Sequence, residues 1–263
     1  MEKKMKIAVM SPSRDQGITT VSILLGQALA ETQGLTVCLT YSGLQNTPLE
    51  SYLGLKSTGD RTKSVTQLMK LLESNSISGN DIGEFCSKIA HNFDFLNTVN
   101  LDKNDEDNIK LLKFIIPNVN HDIVITDITT ELWEPATQQV IELSDIVLIV
   151  LTQNATTAEK LNVWRSSGYC RLLKGKPIMY VVNKYDGYIS AFKEYTRKYS
   201  IKHKQCCKIS YSPFICRTAN LGQLHTLLPY IVKRDIRVCE LNSDIRECMQ
   251  LLMAHMGEQF SWR

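Results

Sequence analysis

The chain of 263 residues is 43% hydrophobic and 22% charged, which is enough apolar material for a sizeable core beneath an ordinary solvated surface. Its net charge of +3 is too slight to imply nucleic acid or anionic lipid as a partner. The eight cysteines include no C-x-x-C pair, so zinc spacing is absent, and thiols scattered this way suit a reducing compartment better than a disulfide scaffold.

The basic start MEKKMKIAVM has too short an apolar stretch for a signal peptide and reads as a strand over 6–10, followed by a helix over 20–29. A second strand is expected over 36–40 (TVCLT), and a polar loop over 56–63. Apolar residues at i, i+3, i+4 spacing predict helices over 65–72 and 82–90, then a strand over 93–96. The run DKNDED at 102–107 reads as a charged turn before a helix over 108–116. Three continuous apolar runs, 123–126, 146–151 and 177–182, lack alternation, as expected of strands buried on both faces of a parallel sheet. Helices over 135–143 and 157–173 separate them. The β-α repetition predicts one α/β domain over 1–263, a doubly wound, mostly parallel sheet with helices on both faces. No run approaches the roughly 18 apolar residues of a membrane span. The protein is therefore expected to be cytoplasmic, with at most peripheral contact at the inner face of the cell membrane.

Strand one runs into Ser11-Pro12-Ser13-Arg14-Asp15-Gln16-Gly17-Ile18-Thr19-Thr20 and then a helix. A strand–loop–helix of this shape aims backbone N–H groups and the positive helix end at an anion. In a competent phosphate loop a lysine reaches the β- and γ-phosphates, and the next Ser/Thr holds Mg²⁺. Gly17, Thr19 and Thr20 are in place, but Ile18 occupies the lysine position and offers a phosphate neither charge nor donor. On its own the loop is a weak signal, because many strand–turn–helix units carry a Gly and a Thr.

Five segments in order make a stronger case. The loop resembles the deviant Walker A loop K-G-G-x-G-K-T-T of the ParA/MinD ATPases, aligned on Gly17, Thr19 and Thr20. The run from Asp122 to Asp127 (DIVITD) resembles that family's D-x-V-I-x-D strand, and Ser144-Asp145-Ile-Val-Leu-Ile-Val resembles its following A-D-x-V-L-I-V strand. Val181-Val182-Asn183-Lys184 is similar to the strand whose Asn reads the adenine edge. The stretch from Ile209 to Gly222, with Pro213, Arg217 and Asn220, resembles the loop that wraps the adenosine. The resemblance runs from residue 5 to about 230. Within the family, the arrangement of the middle segments looks most like the CpaE/TadZ branch, localisation ATPases of pilus and secretion machines. The nucleotide-binding residues it implies are Arg14, Gly17, Thr19, Thr20, Asp127, Asn183, Pro213 and Arg217, with Thr19 and Asp127 as the Mg²⁺ ligands.

The departures point away from hydrolysis. The family's two loop lysines correspond to Ser13 and Ile18, and its switch aspartate falls where this chain reads Thr40-Tyr41-Ser42. No acidic residue lies between Glu31 and Glu50, so no one-residue realignment restores it. Arg14 is the candidate replacement cation, since a guanidinium can clamp phosphate. Asp127 also has a structural reading, as a cap of the turn after its strand. The resemblance with these departures implies no catalytic residues, weak ATP and Mg²⁺ binding or none, and a non-hydrolysing scaffold for a membrane machine such as a pilus or secretion apparatus. Its expected partners are a second copy of the chain and a membrane-associated protein. The alternative is an active, ATP-dependent dimerisation switch for localisation or segregation.

Five further features carry less. Asn183-Lys184-Tyr185-Asp186 matches the N-K-x-D guanine-reading motif of GTPases, although N-K is also common in the ParA/MinD group at this point. The five histidines have no ligand spacing, and the basic stretch 193–208 reads as a solvated helix face rather than a nucleic-acid patch. The tail 243–262 is expected to be an amphipathic helix with an apolar stripe of Ile245, Cys248, Met249, Leu252 and Met256, packing as core or docking a partner. Leu44, Leu49, Tyr52 and Leu55 form an apolar cluster that suits either an interface or the chain's own sheet.

Overall fold

The computed structural model describes residues 4–43, 48–55, 65–98, 105–128, 131–227 and 239–257. Its strands are β1 (Met5–Met10), β2 (Val37–Tyr41), β3 (Ser87–Ala90), β4 (Phe93–Leu96), β5 (Ile123–Asp127), β6 (Ile146–Leu151), β7 (Ile178–Tyr185) and β8 (Cys206–Ser210). They form one sheet in the order β3-β4-β2-β5-β1-β6-β7-β8. All neighbours are parallel except the antiparallel edge pair β3/β4. The helices are α1 (Ile18–Gln33), α2 (Leu49–Leu53), α3 (Val65–Glu73), α4 (Asp105–Asn118), α5 (Pro135–Leu143), α6 (Ala155–Ser166), α7 (Phe192–Lys198), α8 (Pro213–Asn220) and α9 (Cys239–Met256).

The expected α/β architecture is the one observed, and its cause is visible in the burial. Every residue of β5 and β6 is buried, because helices cover both faces. Alternate residues of β1 divide between two cores: Ile7 and Val9 pack with α1 and α9, whereas Ala8 and Met10 pack with α4, α5 and α6. A third cluster joins α3 and α4 over Cys38 and Val124. From β1 the chain order runs outward through β6, β7 and β8 on one side, while β5 and then β2 lie on the other, so the loops after β1, β5 and β7 open at the carboxyl edge where the winding reverses. Open α/β sheets hold their ligands in that crevice.

Three local expectations need correction. The segment 82–90, expected as a helix, is a 3₁₀ turn (Gly79–Phe85) followed by strand β3. Asp81 starts the turn by accepting hydrogen bonds from the backbone N–H and hydroxyl of Ser78, and Asn92, at φ 59°, lets the chain reverse so that β3 pairs with β4. Pairing at the sheet edge outweighs the local helical period. The helix expected over 157–173 breaks after Ser166: Ser167 is extended and donates its hydroxyl hydrogen bond to the Trp164 carbonyl, and a 3₁₀ segment (Gly168–Leu173) follows. Residues Asp105 to Asp107, assigned to a charged turn, form the first turn of α4, where acidic side chains favour the positive helix end. The polar loop 56–63 lies outside the described residues.

The tail helix begins at Cys239, ahead of the expected start at Ser243, and its stripe is core. Ile245, Cys248, Met249 and Leu252 are fully buried against the sheet and α1, and Met256 is partly buried. Asp244 fastens this helix to β8 by accepting from the Ser210 N–H at 2.7 Å and pairing with Lys208 at 3.6 Å. Phe260 and Trp262 lie outside the described residues, as does Leu44. Leu49 is buried and Tyr52 and Leu55 are partly buried against the same core, so this cluster packs on its own sheet.

Candidate functional site

The loop between β1 and α1 is braced by side chains, one of its own and two from β7. Three successive carbonyls each accept one: Arg14 from Gln16 Nε2 (2.7 Å), Asp15 from Lys184 Nζ (3.1 Å) and Gln16 from Asn183 Nδ2 (2.8 Å). The Gln16 side chain is itself buried, and its Oε1 accepts from the hydroxyls of Thr152 (2.5 Å) and Thr157 (3.0 Å). Each such bond contributes about 1 kcal/mol net, and leaving one of these buried partners unmatched costs more. Asp15 and Gly17 both sit at positive φ, 63° and 82°. At Gly17 this is obligatory, because a Cβ would lie 2.2 Å from Asn183 Nδ2.

Helix α1 starts directly after Gly17, with no acidic residue in its first turn and no side-chain cap. Its leading N–H groups are therefore free to meet an anion. Ile18 is buried in the core beneath the loop. Thr19 donates its hydroxyl to Asp127 Oδ2 at 2.6 Å. Asp127 is fully buried at the end of β5 and its Oδ1 has no partner. Burial pushes its carboxyl up to about 7, with the Thr19 hydrogen bond pulling weakly the other way.

These groups border a cavity of about 800 Å³. Arg14, Gly17, Thr19, Thr20 and Asn183 line it, and Asp127 stands behind Thr19. On one side Ser210, Tyr211, Ser212, Ile215 and Cys216, from the β8–α8 junction, complete the wall. Pro213 and Arg217 do not line it: Pro213 sets the first turn of α8, and Arg217 is exposed on that helix. Asn183 spends its amide donor on the loop. Asp186, the last residue of the N-K-x-D match, is outside the lining and its carboxylate accepts from the Tyr188 N–H.

The opposite wall contains residues that sequence reasoning missed. Asn108, at the start of α4, donates from Nδ2 to the Ser42 carbonyl at 2.8 Å, and its buried Oδ1 has no partner. Glu131 and Glu134, from the loop between β5 and α5, also line the cavity. No spacing rule marks these three, because their role depends on where α4 and α5 dock. The charged lining residues are Arg14 and Lys184 against Asp15, Glu131 and Glu134. Among the described residues no group of three or more His, Cys, Asp or Glu is placed to hold a metal. The unpaired Asp127 oxygen beside Thr19 fits a Mg²⁺ ion, with those two as its protein ligands among the described residues and the rest of the shell left to water or phosphate.

No protein-family model matches the sequence, and neither does any curated protein. Solved structures do match the fold. MinD in the MinC:MinD cell division complex of Aquifex aeolicus superposes with a TM-score of 0.70 at 17% identity, covering 98% of each chain. A ParA family ATPase of Chlorobium tepidum gives 0.71 at 14% identity, over 96% of this chain and 99% of that one. A plasmid partition protein of Borrelia burgdorferi bound to AMPPNP gives 0.69 at 18% identity, over 97% and 99%. Over nearly its whole length, the chain has the fold of the ParA/MinD ATPases.

Proposed function

We propose that this chain is a non-hydrolysing ParA/MinD-like scaffold, of the CpaE/TadZ kind, that positions or assembles a membrane machine such as a pilus or secretion apparatus through protein contacts. The observation that carries this reading is a phosphate loop that keeps its braces while buried Ile18 fills the lysine position. Phosphoryl transfer is catalysed mainly by positioning and charge neutralisation, so each missing lysine or switch carboxylate removes several kcal/mol of transition-state stabilisation. At the end of β2, where the switch aspartate would stand, Ser42 directs its hydroxyl to the Asp127 carbonyl at 3.4 Å. Mg·ATP, if it enters, is held weakly by Gly17, Thr19, Thr20 and Asp127, with Arg14 as the loop's cation.

The Aquifex MinD, seen with a protein partner, supports a function exerted through contacts. The expected contacts are a second copy of the chain and a membrane-associated protein, formed without nucleotide in the cytoplasm or at the inner face of the membrane. No helix of the described residues is long and apolar enough to cross a membrane. Light scattering at several concentrations, with and without ATP, tests the reading: association that ignores ATP supports it. The second reading, an ATP-dependent dimerisation switch, is favoured by the size of the cavity and by the AMPPNP-bound Borrelia protein. A chain that is strictly monomeric until ATP is added would establish that switch instead.

A further inference from the structure

Building on the reading of a retained but disarmed nucleotide cavity, we propose that it takes a nucleotide with one or two phosphates and discriminates against the triphosphate, with Glu131 and Glu134 as the discriminating residues. The two ends of the cavity offer opposite chemistry. At the loop, the first N–H groups of α1 and the Arg14 guanidinium supply donors and positive charge, enough for a short phosphate chain. At the end over β2 and β5, three polar side chains direct donors into the protein. Thr19 gives its hydroxyl to Asp127 Oδ2, Ser42 gives its own to the Asp127 carbonyl, and Asn108 gives its amide to the Ser42 carbonyl.

Among the described residues, two buried oxygens at that end are left without partners. Asn108 lines the cavity, is 1% exposed, and has an Oδ1 without a partner; Asp127 Oδ1 is likewise buried and unpartnered. The Glu131 and Glu134 carboxylates add negative charge on the same wall. A terminal phosphoryl group also carries only acceptors and negative charge. Where a phosphate loop normally meets it with a lysine, this chain has Ile18, whose apolar side chain is buried in the core and offers it nothing. The cavity's volume of about 800 Å³ admits a whole nucleotide, so selection is by charge rather than by size.

Calorimetric titration of the full chain with AMP, ADP and ATP, each with and without Mg²⁺, tests the proposal. Without Mg²⁺, AMP or ADP should bind at least about tenfold more tightly than ATP, a gap of the size that nearby like charges produce, and Mg²⁺ should narrow it by neutralising the phosphate chain. The double variant Glu131→Gln/Glu134→Gln should narrow the gap to about threefold while leaving ADP affinity essentially unchanged. ATP binding as tightly as ADP without Mg²⁺, an unchanged gap in the double variant, or no binding of any of the three would overturn it. Failure here is separable from failure of the scaffold reading: tight ATP binding without phosphate release sinks only the selectivity, whereas sustained release sinks the scaffold.

Discussion

The two walls of the cavity have fared differently. On the side of β7 and α6, Asn183, Lys184, Thr152 and Thr157 hold the phosphate loop through hydrogen bonds that also satisfy buried polar atoms. On the side of β2 and β5, the positions that would do chemistry carry Ile18, Tyr41 and Ser42, and two buried oxygens are left unpaired. On the proposed non-hydrolysing reading, the contrast teaches which features survive when catalysis is lost. Loop braces contribute to folding, so the fold itself retains them. A catalytic lysine or aspartate contributes little to folding and can be replaced once turnover no longer matters.

The contrast predicts that substitutions on the bracing wall cost stability and that restoring a single residue on the other wall gains no activity. The largest effect should come from Gly17→Ala, which puts a methyl group onto Asn183 Nδ2 at a positive φ. Denaturant unfolding should show a loss of about 3 kcal/mol or more. A loss under about 0.5 kcal/mol would mean that the loop is not clamped as described.

Asp127 gives a pH signature on the other wall. Its carboxyl moves from 3.8 in the unfolded chain to about 7 when folded, so between those values the folded state binds the proton and the unfolded state does not. Stability contributed by this group is therefore fully present below about pH 4, falls as pH rises to about 7, and is flat beyond. Asp127→Asn keeps an acceptor for Thr19 and removes the slope. Relative to the parent chain, it should gain on the order of 2–4 kcal/mol at pH 8 compared with pH 4. Parallel pH profiles for the two proteins would contradict the assignment.

Gln16→Ala removes a brace and leaves the Thr152 and Thr157 hydroxyls without their acceptor. It should cost about 1–3 kcal/mol in the same unfolding measurement. The smallest effect is expected from Ile18→Lys: phosphate release should stay at background, because the switch carboxylate is still missing at the end of β2. Measurable turnover in that variant would show that the β2 side had lost only one part.

Much of this was legible in the sequence for physical reasons. Strands β5, β6 and β7 are buried on both faces, so their apolar runs are unbroken and easily read. Gly17 and Thr19 sit in a loop whose residue types follow directly from backbone conformation and anion chemistry. Strand β3 was hidden because its partner β4, not its own pattern, decides its conformation. Gln16 gave no signal, since its position in the loop resemblance admits any residue and its value lies in reaching Thr152 and Thr157, more than a hundred residues away. Asn108 was read only as the start of a helix, and its place beside Ser42 follows from how α4 docks on the sheet.

Steady-state phosphate release with Mg·ATP and Mg·GTP tests the central claim most directly. The account predicts release no faster than buffer for both nucleotides, with no difference between the parent chain and Asp127→Ala. Turnover comparable to that of a lysine-bearing ParA/MinD relative, abolished by Asp127→Ala, would contradict it.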